Sequence, residues 1–280
     1  GVVITANPVC SYVPLSRNDD TIVTQYTMTT IEELGLLKMD FLGLRTLTVI
    51  NDAVKMIRLK DNSFDINRID IADKATYEMM ALGQTEGVFQ FESAGMRSVL
   101  MGLKPQRIED LIAVISLYRP GPMDSIPTYI ANRHDPLKIR YKTPMLEGIL
   151  KVTYGCMIYQ EQVMEIFRTL AGYSYGRADI VRRAMSKKKH EVMEKERTTF
   201  VEGCAKNGIS NTVANSIFDR MISFASYAFN KSHAAAYATL AFETAYLKCH
   251  YPRQYMAALM TRRFAQITEI TKLMEECQSM

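Results

Sequence analysis

Short runs of alternating apolar and polar residues occupy the chain up to about Arg45. Examples are residues 1–4, 22–26 and 36–42, which are separated by Pro, Asn and Asp. A period of two places successive side chains on opposite faces of an extended backbone, and the separating residues favour turns. This part of the sequence therefore predicts strands and turns.

From Thr46 the apolar spacing changes to that of a helix. Ile50, Ala53, Val54 and Ile57 fall on one helical face, and Thr46 is suitable as the residue that caps it. The same periodicity predicts helices along nearly all of the remaining chain, so the expected fold class is α+β and predominantly α-helical. The predicted helices are 74–82, 93–102, 107–117, 159–170, 177–186, 190–206, 211–225, 232–249, 252–263 and 267–278.

Three segments interrupt the helical pattern. Residues 119–122 read Arg-Pro-Gly-Pro and end the preceding helix, because proline lacks the amide donor and restricts the residue before it. Thr143 is predicted to cap a helix that has Pro144 at its first position. Ser232, within residues 230–233, is predicted to be the N-cap of an alanine-rich helix.

Composition places the chain among globular proteins. At 280 residues and 48% hydrophobic residues it can form one large domain or two smaller ones, and disorder is not expected.

The five cysteines contain no C-x-x-C pair, so neither a disulfide framework nor a zinc site is indicated, and a reducing cytosol fits best. No apolar run reaches the roughly 18 residues of a membrane span, so we expect a soluble intracellular protein. The chain starts with Gly and ends within a predicted helix, which suggests a piece of a longer protein.

Positive charge is concentrated between Arg177 and Arg197. That segment holds eight Lys or Arg and four acidic residues, a surplus of +4 that equals the formal charge of the whole chain. Such a concentration is expected of a surface that contacts phosphates. A solvated helix face explains the same composition about as well, so both interpretations stay open.

The basic segment divides into two arginines and three lysines. Arg182 and Arg183 lie about 100° apart around a helix axis, so one guanidinium could bind a phosphate in a bidentate manner while the other contacts a strand or packs. Lys187, Lys188 and Lys189, at the predicted helix end, would add charge for a nucleic-acid backbone.

The start of the helix that follows residue 230 is a second candidate site. Unpaired amide groups at a helix N-terminus favour an anion, and Lys231 strengthens that preference. His233 and Tyr237 share one face, where they could lie beside a bound base. The alternative is that both rings are ordinary core or boundary residues.

Lys38 and Asp40 form the third candidate. Alternation along a strand puts both on one face, and the default interpretation is a surface ion pair of little energetic weight. Asp40 alone is a weak metal signal, because two-metal phosphoryl transfer requires several converging carboxylates. The sequence contains no P-loop, G-x-G-x-x-G or H-E-x-x-H motif, which argues against an NTPase, a dinucleotide enzyme or a zincin.

Six blocks of this sequence, in order, resemble the alpha subunits of bacterial DNA polymerase III, the C-family replicative polymerases. The resemblance runs nearly end to end, and several blocks in one order are far more specific than any single block. Residues 86–92 belong to it, although no role follows from them. The blocks are residues 38–47, 86–92, 118–122, 159–164, 182–189 and 229–233.

The resemblance implies a domain organisation. Residues 1–46 would be the C-terminal edge of a polymerase-beta-like nucleotidyltransferase palm, and residues 47–280 a large helical fingers domain truncated at its C-terminus. In the family, three palm aspartates hold two Mg²⁺ ions, and Asp40 matches the third. The other two belong to an Asp-x-Asp motif, which does not occur in residues 1–280, so the isolated fragment is expected to be inactive.

The resemblance also implies roles for the basic residues. Lys38 matches a lysine near the incoming triphosphate, Arg182 and Arg183 match nucleotide-binding arginines of the fingers, and Lys231 and His233 are assigned to the same pocket. The implied substrates are primer–template DNA and a deoxynucleoside triphosphate (dNTP). The sliding clamp and other replisome subunits would bind mostly outside this fragment, in the cytoplasm of a bacterium. A helical nucleic-acid-binding module without a complete metal site is the competing hypothesis, and a helical interaction scaffold with a solvated lysine run is a weaker one.

Overall fold

The computed structural model describes residues 1–186, 190–225 and 227–280. The chain separates into two units, Gly1–Arg45 and Thr46–Met280. Strands occur in the first unit and most of the helices in the second, so the predominantly helical α+β class predicted from the periodicity is confirmed. The palm-like detail of the first unit stays a prediction.

The first unit contains two small antiparallel sheets and one short helix. β1 pairs with β4, with Val3 opposite Lys38, and β2 pairs with β3. The predicted strand at 36–42 is shorter than expected, because only three of its residues pair with β1, and Asp40 lies just beyond its end. The elements are β1 (Val2–Ile4), β2 (Leu15–Asn18), β3 (Thr21–Thr24), α1 (Met28–Glu33) and β4 (Leu37–Met39).

Thirteen α-helices follow in the described part of the chain, the first of them beginning at the end of the first unit. They are α2 (Arg45–Arg58), α3 (Lys74–Ala81), α4 (Ala94–Leu103), α5 (Ile108–Leu117), α6 (Ile126–His134), α7 (Glu147–Leu150), α8 (Gln160–Ala171), α9 (Tyr175–Ser186), α10 (His190–Lys206), α11 (Asn211–Ala225), α12 (Lys231–His250), α13 (Pro252–Arg263) and α14 (Ile267–Ser279). Short 3₁₀ turns occupy Val9–Ser11, Ile66–Arg68, Pro122–Ser125, Pro136–Lys138, Pro144–Leu146 and Lys151–Thr153. Within the described ranges, no helix combines the length and the hydropathy that crossing a membrane requires.

Apolar side chains of the second unit form three clusters. The first lies among α3, α4, α5 and α12 and includes Phe91 and Phe242, and the second joins α8 to α11 around Phe167 and Phe218. The third packs α2 against α13 and α14 and includes Tyr255. Helix α12 contributes side chains to both the first and the third clusters. This packing fixes the position of α12, including its N-terminal end.

Two predicted caps, Thr46 and Ser232, are wrong. Thr46 lies inside α2, which begins at Arg45. Asn230, not Ser232, caps α12: its side chain accepts a hydrogen bond from the amide of His233 at 2.8 Å. Thr143 does occupy the N-cap position, with Pro144 at the first position, but the element is a 3₁₀ turn and the Thr143 side chain makes no capping hydrogen bond. The error at Ser232 arises because the local sequence pattern does not show that the backbone is already extended at Asn230.

Candidate functional site

Lys38 and Asp40 form the predicted ion pair in the first unit. The Lys38 Nζ lies 2.6 Å from the Asp40 Oδ2, and β4 holds Lys38 by pairing it with Val3. The Asp40 side chain is 55% exposed, while that of Lys38 is 19% exposed. The hydrogen bond from Lys38 lowers the pKa of Asp40 below its ordinary value. Asp40 is therefore ionised at neutral pH and can act as an oxygen ligand or an acceptor.

The residues around Asp40 do not complete a metal site. Among the residues that the structure describes, no group of three or more His, Cys, Asp or Glu side chains could hold a metal ion. One carboxylate is a ligand of the type that Mg²⁺ prefers, but two-ion phosphoryl transfer requires several. These residues therefore fit two Mg²⁺ ions only as a partial ligand set.

Arg182 and Arg183 on α9 share one carboxylate. The Arg182 Nη2 lies 2.8 Å from the Oδ1 of Asp179, and the Arg183 Nη2 lies 2.7 Å from its Oδ2. The hydrogen bond from Arg182 is the largest cause of a lowered pKa at Asp179, and the one from Arg183 acts in the same direction. The trio carries one net positive charge, and within the described residues several of its guanidinium N–H groups make no hydrogen bond.

The two arginines differ in exposure. This difference is relevant to the prediction that one guanidinium binds a phosphate while the other contacts a strand or packs. The Arg182 side chain is 13% exposed and that of Arg183 is 69% exposed. Asp179 was missed as a partner, although its spacing of three and four residues from the arginines is that of neighbours on a helix. Lys187, Lys188 and Lys189 lie outside the described residues.

A carboxylate occupies the start of α12, where an anion was predicted. Glu161 accepts hydrogen bonds from the amide of Lys231 at 3.1 Å to each oxygen and from the Asn230 side chain at 3.2 Å. The Lys231 Nζ lies 5.5 Å from the centre of the Tyr159 ring. His233 is exposed. The predicted preference of this helix end for negative charge is met within the protein itself.

Backbone pairing holds the segment that leads into α12. Tyr159 and Phe229 form an isolated parallel bridge, in which the Gln160 amide donates to the Phe229 carbonyl at 2.9 Å. The Gln160 side chain donates to the carbonyl of Ala228 at 3.1 Å. Two of the blocks that carry the resemblance, about 70 positions apart, are therefore joined directly.

The aromatic side chains near this segment form a continuous column. The rings of His233 and Tyr237 are 4.4 Å apart, and Phe89 and Phe229 extend the column at 5.4 Å and 5.6 Å. The Arg119 guanidinium lies over Phe229, 4.4 Å from the ring centre. Protein neighbours therefore contact both His233 and Tyr237.

Arg119 also ties the Arg-Pro-Gly-Pro turn to the same segment. Its side chain donates to the carbonyl of Ser116 at 3.0 Å and to that of Tyr227. Gly121 in this turn has a φ of +99°, and a Cβ added there would lie within 2.5 Å of the Tyr227 ring. Glycine is required at this position both by the backbone angle and by the close ring.

Residues 86–92 acquire a structural role that the sequence did not reveal. The segment is a loop whose carbonyl at Gly87 accepts a hydrogen bond from the Tyr255 hydroxyl at 2.6 Å. The Phe89 amide donates to the Thr244 hydroxyl at 3.1 Å. The buried Lys248 donates to the Glu86 carbonyl at 2.8 Å. The loop thereby brings the Phe89 ring to the aromatic column.

A cleft of about 300 Å³ opens beside the turn at Gly121, with Cys156, Arg220 and Tyr227 among its lining residues. Burial raises the pKa of the Cys156 thiol to about 11, although Arg220 acts in the opposite direction. A thiol with this pKa is protonated at neutral pH, so the cleft does not present a cysteine nucleophile.

Comparison with known proteins connects these features to one family. A family model described as the bacterial DNA polymerase III alpha subunit finger domain matches residues 46–208, and one described as the bacterial DNA polymerase III alpha NTPase domain matches residues 1–43. The chain is 46% identical over 280 residues to DNA polymerase III subunit alpha of Staphylococcus aureus strain COL, which covers 99% of this chain and 26% of the relative. The corresponding Thermus aquaticus protein is 50% identical over 268 residues, covering 93% of this chain and 22% of the relative.

The chain thus spans about a quarter of the length of these relatives, and the match extends over both of its units. The chain belongs to the bacterial DNA polymerase III alpha subunit family.

Proposed function

We propose that the complete protein containing this chain is a replicative DNA-directed DNA polymerase, in which residues 1–46 are the edge of the palm and residues 47–280 belong to the fingers. The observation that carries the proposal is the 46% identity over the whole chain to a DNA polymerase III alpha subunit. In the proposed reaction the primer 3′-hydroxyl gives up its proton to water and its oxygen bonds to the α-phosphorus of a dNTP. The bond from that phosphorus to the α,β-bridging oxygen breaks, and pyrophosphate leaves with the electron pair. Template pairing selects the base, so no side chain here has to read sequence.

Asp40 is the proposed catalytic residue and would be one carboxylate ligand for the two Mg²⁺ ions, with the remaining ligands supplied by segments outside this chain. Lys38 keeps Asp40 ionised through its short hydrogen bond, and its ammonium has further donors for a triphosphate oxygen. This arrangement supports the role that the resemblance implies for both residues.

The fingers would supply cations that stabilise phosphate charge without covalent participation. Arg182 and Arg183 suit this role because Asp179 pairs with both guanidiniums but can engage only some of the five N–H donors that each one carries. Lys231 and His233 are proposed to contact the same nucleotide, and residues 187–189 to contact primer–template DNA. The sliding clamp and other replisome subunits would bind mostly through the remainder of the complete protein, in the bacterial cytoplasm.

Primer extension by the complete parent protein with Mg²⁺ tests the proposal. We expect Asp40→Asn to abolish nucleotide incorporation while primer–template binding stays nearly intact. We expect Arg183→Ala to raise the dNTP KM by about tenfold to a hundredfold, since a hydrogen bond to a charged group contributes about 1.5–3 kcal/mol.

Arg177→Ala is the matched control for the arginine. Arg177 lies on the same helix and pairs with Glu196 at 3.0 Å, so its loss should leave the dNTP KM unchanged. Normal incorporation by Asp40→Asn would refute the catalytic assignment. Equal KM values in the two arginine variants would refute the placement of the nucleotide at Arg183.

A further inference from the structure

Glu161 is the one acidic side chain that the described structure places on the backbone at the start of α12. It lies in the first turn of α8, yet both of its oxygens accept from the Lys231 amide and one also accepts from the Asn230 side chain. Asn230 in turn caps the amide of His233. Glu161 and Asn230 therefore fix the first turn from which Lys231 and His233 project.

Hydrogen bonds of the neighbouring Gln162 fix the first turn of α8, which carries Glu161. The buried Gln162 accepts hydrogen bonds from the amides of Ile158 and Tyr159 at 2.8 Å and 3.0 Å. Its amide nitrogen donates to the Thr153 hydroxyl at 2.8 Å. A buried side chain with both ends satisfied holds one conformation. The first turn of α8 thus presents the Glu161 carboxylate in a defined position.

Glu161 contacts the backbone amide of Lys231 and not its ammonium group. Glu161 binds the backbone of Lys231, and across the described ranges no carboxylate lies within salt-bridge distance of its Nζ. The ammonium instead faces the Tyr159 ring at 5.5 Å. The carboxylate therefore orients the residue without neutralising the group that would contact a phosphate.

We propose that Glu161 is a positioning residue for nucleotide binding: it fixes the start of α12 so that Lys231 and His233 are directed at the incoming triphosphate. This inference rests on the proposed function, because it assigns to Glu161 an effect that acts through Lys231. A carboxylate at a helix N-terminus can have the opposite effect, since it occupies an amide that a phosphate could bind. The two effects predict opposite changes in dNTP affinity when the charge is removed.

The variant Glu161→Gln, made in the complete parent protein, distinguishes positioning of Lys231 from competition with the triphosphate. The glutamine keeps one acceptor oxygen but loses the charge and the second acceptor, so one charge-assisted hydrogen bond to the Lys231 amide is weakened. We expect the dNTP KM in primer extension to rise about tenfold, with kcat changed by less than about twofold. Glu165→Gln is the matched control, because Glu165 lies one turn later on α8 and accepts from Arg168, Thr169 and Tyr175 side chains.

A double-variant cycle with Lys231→Ala tests whether the effect passes through Lys231. We expect Lys231→Ala alone to raise the dNTP KM and Glu161→Gln to add no further rise in that background. A fall in KM for Glu161→Gln would overturn the proposal and identify the carboxylate as a competitor of the triphosphate. If Glu161→Gln lowers the melting temperature but leaves the dNTP KM unchanged, as we expect of the control Glu165→Gln, the proposal is overturned and the role of Glu161 is purely structural.

The remaining outcomes distinguish this inference from the proposed function. If Lys231→Ala raises the KM and Glu161→Gln adds its full effect to it, the positioning proposal fails while the nucleotide assignment of Lys231 stands. If Lys231→Ala leaves the KM unchanged, the nucleotide assignment of Lys231 fails, and the positioning role fails with it.

Discussion

Lys248 is a buried lysine whose removal should weaken the fold measurably. Its side chain is 1% exposed, and its Nζ donates to the carbonyls of Gln84 and Glu86 at 3.0 Å and 2.8 Å and to the Glu276 Oε1 at 2.6 Å. All three ammonium donors are therefore satisfied. One side chain on α12 thus holds both the 86–92 loop and α14.

The loss of stability in Lys248→Met can be worked out from the acceptor groups that lose the ammonium. Two carbonyls lose their donor, at about 1–3 kcal/mol each if they stay buried. Glu276 loses its cation, but its side chain is 21% exposed, so water replaces part of that interaction. Methionine fills the space of the aliphatic stem and removes the cost of burying an ammonium group. We therefore expect the free energy of unfolding to fall by about 3 kcal/mol.

Urea unfolding of the 280-residue chain measures this change, with Lys272→Met as the matched control. Lys272 pairs with Glu269 at 3.3 Å and is 56% exposed, so its removal should cost less than about 1 kcal/mol. Hydrogen exchange adds a local measurement, since the Phe89 amide should exchange faster in Lys248→Met. A loss no larger than that of the control would refute the reasoning, because it would mean that the ammonium is not buried against those carbonyls.

Two further predictions concern packing and acid stability. Gly95→Ala should lower the free energy of unfolding by about 1–3 kcal/mol despite the better helix propensity of alanine, because a Cβ there would overlap the Tyr118 hydroxyl. Gly148→Ala, with no atom within 4 Å of the added Cβ, should be neutral or stabilising in the same urea titration. Asp179 has a lowered pKa, so the stability from its pairing with Arg182 should be present above about pH 3.9 and be lost as the pH falls through the lower folded pKa. Acid titrations of wild type and Asp179→Asn should therefore converge at low pH, and curves that stay parallel would contradict this.

Helical periodicity predicted the long helices well because each buries an apolar stripe. The predicted range 190–206 coincides with α10, and 211–225 coincides with α11. The helix Ile126–His134 was not predicted, because it follows a Pro-Gly-Pro turn, contains a proline near its start and buries only Ile126 and Tyr129. Short elements like this one depend on tertiary packing more than on their own pattern.

The cap of α12 shows why some local choices cannot be made from sequence. Asn230 and Ser232 are both good capping residues, and either one could begin the alanine-rich helix. Asn230 serves because its backbone is extended, with φ of −73° and ψ of 118°, next to the bridge between Phe229 and Tyr159. That bridge joins positions about 70 residues apart, and no local pattern encodes it.

The blocks that carry the family resemblance gain a physical meaning from their arrangement. Four of the six converge at the start of α12: Phe89 reaches it through Tyr237, Arg119 lies over Phe229, and Glu161 binds the amide of Lys231. Most of these contacts are made between protein groups rather than left free for a ligand. A residue within such a block can therefore act by fixing the direction of its neighbour, and membership in a block does not by itself assign contact with the nucleotide. For this reason the variant of Glu161, whose carboxylate binds the backbone of Lys231, tests the site more sharply than a further substitution among the cations.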